Sequence, residues 1–412
     1  MLFVIDDSST MADKQAKLAA AVSTLETTFD QGPGDLPDLH IGVITSDMGT
    51  KTSGSPTPAA DVGTAGNGGC AGSGKNGRLL TGQATGLTGT FISNVRLPDG
   101  TRQKNYNLEL GETLGGMMTQ GAVGCGFEQP LHAMRTALDG NPANAGFLRP
   151  DALLAVVFLT DEDDCSMRDP ALMAADSSSN PQQSFRCTRF GVTCADGGNT
   201  PDEMNKIGAK GRCGPNTSDT SLLDQPALFH DFLVDLKGDP NLVVVSGVIG
   251  EPEFVEIESR TIGGKQQSAL AHSCQVVGTD GQLAVADPGV RLRSFFDLFP
   301  GRNSSTTICQ NDFSDTLEGT VHLISQATGT SCFGKPILDV DPAPGIQPDC
   351  IVEEVVGTTV TIIPSCGDGE SSLCWSIVTD AIECPLFNQL RLDVPRTTVP
   401  PPGTITRARC RI

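Results

Sequence analysis

Four short runs of Val, Ile and Leu punctuate the chain: Leu2 to Ile5, Ile41 to Thr45, Leu153 to Thr160 and Leu242 to Ile249. None alternates as a strand with one wet face does. Uninterrupted apolar runs of this length fit strands covered on both sides, as in a parallel sheet. Between them the period becomes helical. Over 11–29, Ala16, Leu18, Ala19, Val22, Leu25 and Phe29 fall on one broad stripe. After Gly126, the apolar residues Phe127, Leu131, Met134 and Leu138 keep helical spacing, with Pro130 in the first turn, where its missing N–H costs nothing. Further helices are predicted over 108–119, 226–236, 291–299 and 312–326. Strands alternating with helices predict an α/β fold around a doubly wound, mostly parallel sheet.

Two polar stretches interrupt this pattern. Residues 48–105 are rich in Gly, Ser and Thr and read as a loop insertion. Residues 162–222 carry Cys165, Cys187, Cys194 and Cys213 among polar residues, so crosslinks are expected to stand in for a core there. Beyond residue 331, Cys332, Cys350, Cys366, Cys374, Cys384 and Cys410 accompany short β-branched runs such as 355–363. The expected organisation is therefore an α/β domain over 1–330 with two insertions, then a small cysteine-rich β module over 331–412 with a Pro-rich, strand-like tail.

Composition narrows the function. The 412 residues carry a net charge of −21, which repels phosphate backbones and anionic lipid and argues against nucleic-acid binding. No apolar run approaches the roughly 18 residues a membrane-spanning helix needs. The 14 cysteines are even in number, include no Cys-x-x-Cys pair and are accompanied by only 5 histidines, so disulfides in an oxidising compartment are expected rather than zinc. Cys274 and Cys309 belong to this set; Cys125 is expected to pair, with Cys70 as a candidate partner. A reduced cytosolic protein is the alternative. Residues 1–6 read as a strand and not as an export signal, so a signal segment, with or without a lipid anchor, is expected upstream.

Ligands of an open α/β sheet bind beyond the carboxyl ends of the strands, where strand order reverses. Three predicted strand ends deliver acids and hydroxyls there: Asp6-Asp7-Ser8-Ser9-Thr10, Ser46-Asp47 and Asp161-Glu162-Asp163-Asp164. Like charges about 4 Å apart repel by roughly 4 kcal/mol at an effective dielectric near 20, so a cation is expected among them. Oxygen donors without clustered His or Cys select Mg²⁺ or Ca²⁺.

Phe3-Val4-Ile5-Asp6-Asp7-Ser8-Ser9-Thr10-Met11 resembles the first metal-binding loop of von Willebrand factor type A domains, an Asp-x-Ser-x-Ser pattern directly after the first strand. Leu154 to Thr160 followed by Asp161 resembles the strand that supplies their last metal-site Asp. Gly124-Cys125-Gly126-Phe127-Glu128-Gln129-Pro130-Leu131 and Phe158 to Ser166 resemble segments of cysteine-rich bacterial envelope proteins bearing this domain. The resemblance implies Asp6, Ser8, Thr10 and Asp161 as the residues of a metal-ion-dependent adhesion site, with Thr10 in the last Ser slot. The family's loop Thr has no counterpart in 124–128, where either Glu128 reaches inward as a substitute carboxylate or water fills the gap. Implied with it is a protein-binding or adhesion role, in which a divalent cation meets an acidic group of a partner.

Blander readings stand beside these. Ser9 or Thr10 caps the following helix. Asp47 is a turn former or an outer acceptor rather than a ligand. Glu162, Asp163 and Asp164 form a solvated loop, with a second calcium as the lesser alternative. His132 is a surface or packing residue, and Trp375 packs against a disulfide. Two functional alternatives remain: a phosphatase-like hydrolase with Asp6 as nucleophile, in which Ser8 replaces the acid/base Asp two residues on, and a structural envelope protein without metal.

Overall fold

The computed structural model describes residues 1–412 except 24, 26–28, 30–35, 65–67, 98, 175–182, 263, 279–280, 282, 329–332, 334–336, 341–345, 357–358, 368–372, 381–388, 397–399, 401–403 and 412. Cys332 and Cys384 lie outside the described residues.

All four apolar runs are strands of one seven-stranded sheet: β1 (Leu2–Ile5), β2 (Leu39–Thr45), β5 (Leu154–Leu159) and β8 (Val243–Ile249). The other members are β3 (Ile92–Arg96), β4 (Arg102–Lys104) and β13 (Asn303–Thr307), giving the order β13-β8-β5-β1-β2-β3-β4. The pairs β1–β2, β1–β5, β5–β8 and β8–β13 are parallel, whereas β3 and β4 add an antiparallel edge.

Successive side chains of a strand point to opposite faces, so a run apolar at every position buries two layers at once. Phe3, Ile5, Val43, Val157 and Val244 pack with Leu18 and Val22 of α1 (Ala12–Val22), Leu114 of α2 (Leu110–Met118) and residues 317–324. Leu2, Val4, Val156, Phe158 and Val245 face the other way, against Leu131 and Met134 of α3 (Pro130–Leu138) and against residues of two later helices. Burying each such side chain contributes about 1.5–3 kcal/mol. The fold is thus α/β, with helices on both faces of a mostly parallel sheet.

The edge strand β13 has no apolar run, since it reads Asn-Ser-Ser-Thr-Thr. It pairs with β8 through its backbone, while the Thr306 hydroxyl bonds that of Thr316 in α8 (Ser314–Thr328). Hydroxyl pairing replaces apolar packing there. β3 and β4, likewise, lie within the Gly/Ser/Thr-rich stretch 48–105, from which Ile92 reaches the core together with Tyr106 just beyond it.

Within 162–222 lie α4 (Gln183–Gly191), β6 (Val192–Asp196), α5 (Pro201–Met204) and β7 (Gly208–Pro215). β6 and β7 join β9 (Val255–Ile262) and β10 (Lys265–Leu270) in a second, antiparallel sheet, and Cys194–Cys213 crosslinks the β6–β7 pair. Crosslinks do not replace a core in this stretch. A small one forms around Phe185, Val192, Met204 and Ile257, because strands from 255–270 supply the missing apolar face.

Further along run β11 (Cys274–Val277), β12 (Leu283–Ala286), α6 (Pro226–Lys237) and α7 (Val290–Asp297), the last two completing the second helical layer. Toward the C-terminus, β14 (Cys350–Val356) pairs with β15 (Thr359–Ile363) and β18 (Ile405–Cys410), and β16 (Ser376–Thr379) with β17 (Leu390–Asp393). Trp375 is buried with Val352 and Ile363, and the disulfides Cys350–Cys410 and Cys366–Cys374 close this module.

Disulfides join Cys70 to Cys125, as anticipated, and also Cys165 to Cys187 and Cys274 to Cys309. No cysteine among the described residues is free.

Candidate metal centre

The chain leaves β1 for β2 on one side and returns to β5 on the other, so strand order reverses beside β1. Parallel pairing continues one residue past the strands, with Asp6 N donating to Leu159 O at 2.8 Å and Ser46 N to Ile5 O at 3.1 Å. Asp6 therefore sits at a fixed depth between two neighbours. Its Oδ1 accepts from the Ser8 amide at 2.7 Å and its Oδ2 from the Thr160 hydroxyl at 2.9 Å.

From Ser8 the chain turns into α1, and Met11 N donates back to Ser8 O at 3.2 Å. The N-cap residue is Met11, with no side-chain cap bond. Ser9 and Thr10 do not cap the helix, which leaves the Thr10 hydroxyl 3.4 Å from that of Ser8. Gln15, on the buried stripe of α1, holds this turn: its Nε2 donates to Asp6 O and Gly121 O, each at 2.8 Å, and its Oε1 accepts from Gln120 N.

Asp161, just past β5, is 3% exposed. The Lys14 ammonium donates to its Oδ2 at 2.9 Å, while Oδ1 has no hydrogen-bond partner among the described residues. Glu128 is 1% exposed, and its Oε1 likewise has no hydrogen-bond partner among the described residues. Burial and neighbouring Glu162 and Asp6 raise the Glu128 carboxyl well above the ordinary range; burial, Asp287 and Asp161 do the same to Glu162. Burial followed by the Asp161 charge pushes Asp6 up to about 8. The cluster holds more carboxylates than its cations neutralise, and it keeps protons as a result.

The remaining acids of the three strand ends turn elsewhere. Asp7 pairs with Lys75 through Oδ2, while its Oδ1 has no hydrogen-bond partner among the described residues and would lie 2.4 Å from a Cβ on Gly124, so only glycine lets that loop approach. Asp47 accepts from Gly49 N at 2.9 Å, the role of a turn former. Asp163 and Asp164 are buried, not solvated. Arg291 N and Leu292 N, at the start of α7, donate to Asp163, and the Arg291 guanidinium meets Asp164 Oδ2 at 3.0 Å. The lone pairs a second calcium would need are already taken, on Asp163 by the Arg291 and Leu292 amides and on Asp164 by the Arg291 guanidinium, the Leu131 amide and the Ser166 hydroxyl. His132 is a packing residue, buried on α3.

Among the described residues, no three His, Cys, Asp or Glu side chains converge closely enough to hold an ion by themselves. A cation here must also draw on hydroxyls and water. The donor set suits that: two adjacent hydroxyls, Asp6, and two buried unpartnered oxygens, all hard donors that fit Mg²⁺ or Ca²⁺.

Lys14, Gln15 and Thr160 were not among the residues named from sequence. One signal for the first two was available, because both fall on the helical stripe that runs from Met11 through Leu18 to Val22, where an apolar side chain belongs.

No family model matches the chain, and no curated protein matches it. Among solved structures, it is similar to a conserved hypothetical protein, BatB from Bacteroides thetaiotaomicron, at 10% identity and a TM-score of 0.25, over 79% of this chain and 97% of that one.

Proposed function

We propose that this chain is a metal-ion-dependent binding module of the von Willebrand factor type A kind, on the cell envelope or outside the cell, and not an enzyme. The observation that carries the reading is the meeting of Asp6, Ser8, Thr10 and Asp161 at the strand-order reversal, with the Asp161 Oδ1 and Glu128 Oε1 atoms buried and unclaimed. Ser8 and Thr10 offer neutral hydroxyls and Asp6 an anchored carboxylate. Mg²⁺ or Ca²⁺, when bound, supplies a Lewis-acidic position for a carboxylate of a protein partner. The net charge of −21 steers basic surfaces toward the molecule, while the contact itself selects an acid.

Binding is favoured over phosphoryl transfer because Ser8, which stands where the acid/base Asp would be, lacks the acidity of a proton donor. The disulfides support an oxidising compartment, and no helix among the described residues is long and apolar enough to cross a membrane.

Calorimetry on chelator-treated protein tests the reading. Mg²⁺, Ca²⁺ or Mn²⁺ is expected to give binding heat that Asp6→Ala abolishes. Dilution heat alone in both proteins would leave a structural protein without metal. Turnover of a phosphate ester, lost in Asp6→Asn, would replace the binding reading with an enzymatic one.

A further inference from the structure

Lys14 is a charged side chain in a place built for an apolar one. It is 2% exposed, on the face of α1 that carries Leu18 and Val22 into the core. A lysine is seldom buried this deeply without a partner. Its ammonium lies 2.9 Å from Asp161 Oδ2 and 3.0 Å from Thr10 O, two residues of the candidate centre. Other cations nearby are committed: Lys17 to Asp13, Lys75 to Asp7, Arg291 to Asp164 and His272 to Asp287. Lys14 is thus the counter-charge of Asp161.

We infer that Lys14 is a tethered counter-ion which occupies the cation's place at Asp161 and must be moved aside, or have its charge overcome, when a divalent ion binds. The inference rests on the metal-binding reading and adds what regulates it. An ammonium and a divalent ion close to one carboxylate repel each other, so Lys14 weakens the centre for metal while neutralising it in metal's absence. The side chain has somewhere to go. The Asp13 carboxylate, with 32% of its side chain exposed, lies 3.9 Å from the ammonium through Oδ1 and 3.6 Å from Lys17 through Oδ2, and four methylenes let the Lys14 head swing from Asp161 toward Asp13 Oδ1 at the surface. The centre would then fill only where divalent ions are abundant.

Two measurements on the full chain decide the matter. In calorimetry with Mn²⁺ and Ca²⁺, Lys14→Met, which keeps the apolar stem and removes the charge, is expected to bind at least about tenfold more tightly than wild type. In amine acylation read by peptide mass spectrometry, wild-type Lys14 is expected to be protected without metal and several-fold more reactive with saturating Mn²⁺. In Asp6→Ala, Mn²⁺ is expected to change nothing. Equal affinities in wild type and Lys14→Met, or weaker binding by the variant, overturn the inference and leave the metal reading standing. Lys14 that stays protected while Mn²⁺ is bound, in a wild type whose affinity matches the variant's, does the same. Silence of both proteins toward every ion overturns the metal reading and this inference with it. Should Lys14→Met fail to fold, the acylation contrast in wild type decides alone.

Discussion

Asp161 and the pair Asp163–Asp164 leave the same strand end, yet their surroundings are opposites. Every carboxylate oxygen of the pair is taken. Asp163 receives the amides of Arg291 and Leu292, and Asp164 receives the Ser166 hydroxyl at 2.6 Å, the Leu131 amide and the Arg291 guanidinium. Arg291 also bonds Gly191 O and Asp224 O, so one buried guanidinium ties the main sheet to α4 and to the segment before α6. Around Asp161, Asp6 and Glu128, two buried oxygens have no donor, and a single ammonium serves Asp161. A helix N-terminus and an arginine close one half of the loop into a staple. The other half, without such donors, is left open to a cation. The lesson is that buried acidity alone does not mark a site; unspent lone pairs gathered beside neutral hydroxyls do.

Breaking the staple should have the largest effect. Arg291→Met leaves buried Asp164 without its ion-pair partner, and denaturant unfolding with disulfides intact should show a loss of about 3–5 kcal/mol. A loss near zero would mean that the staple is not what holds this loop.

His132 sharpens the contrast from the staple side, since its amide donates to Ser166 Oγ at 2.9 Å. Burial, then Lys51 and Arg135, lower its pKa from 6.5 to about 4. A depressed histidine pKa means that the unfolded chain takes up the proton first. Its contribution to stability is therefore intact above pH 6.5 and lost as pH falls from there to 4, on the order of 3 kcal/mol in all. Subtracting the pH–stability curve of His132→Asn from that of wild type isolates this term, and a flat difference would refute it.

The open half should respond to cations where the staple does not. At a free Mg²⁺ or Ca²⁺ concentration 100 times the dissociation constant, binding should stabilise wild type by about 2.7 kcal/mol. Asp6→Ala should show no such gain in thermal unfolding, whereas Arg291→Met should keep it. Last and smallest, Thr10→Ala removes one neutral donor and should weaken divalent binding about tenfold, near 1.4 kcal/mol, with little change in metal-free stability.

Much of the architecture was legible along the chain. An unbroken apolar run can be satisfied only by cover on both faces, so Leu2–Ile5 and Leu154–Leu159 identify themselves as central strands, and the acids that follow them must arrive at the sheet's ligand-binding edge. β13 was not legible, because its side chains are polar and its place depends on hydroxyl partners more distant than any local period reaches. Nor did local pattern tell the open acids from the closed ones. Asp161 and Asp164 look alike in sequence, and what separates them is Arg291, 127 residues beyond Asp164. The chain by itself determined the α/β alternation, the position of Asp6 and Asp161 at strand ends and the abundance of crosslinks, since these follow from periodicity and composition. Only the tertiary structure decided which carboxylates find donors and which keep lone pairs, because hydrogen-bond satisfaction is settled between segments that meet in space, not between neighbours in the chain.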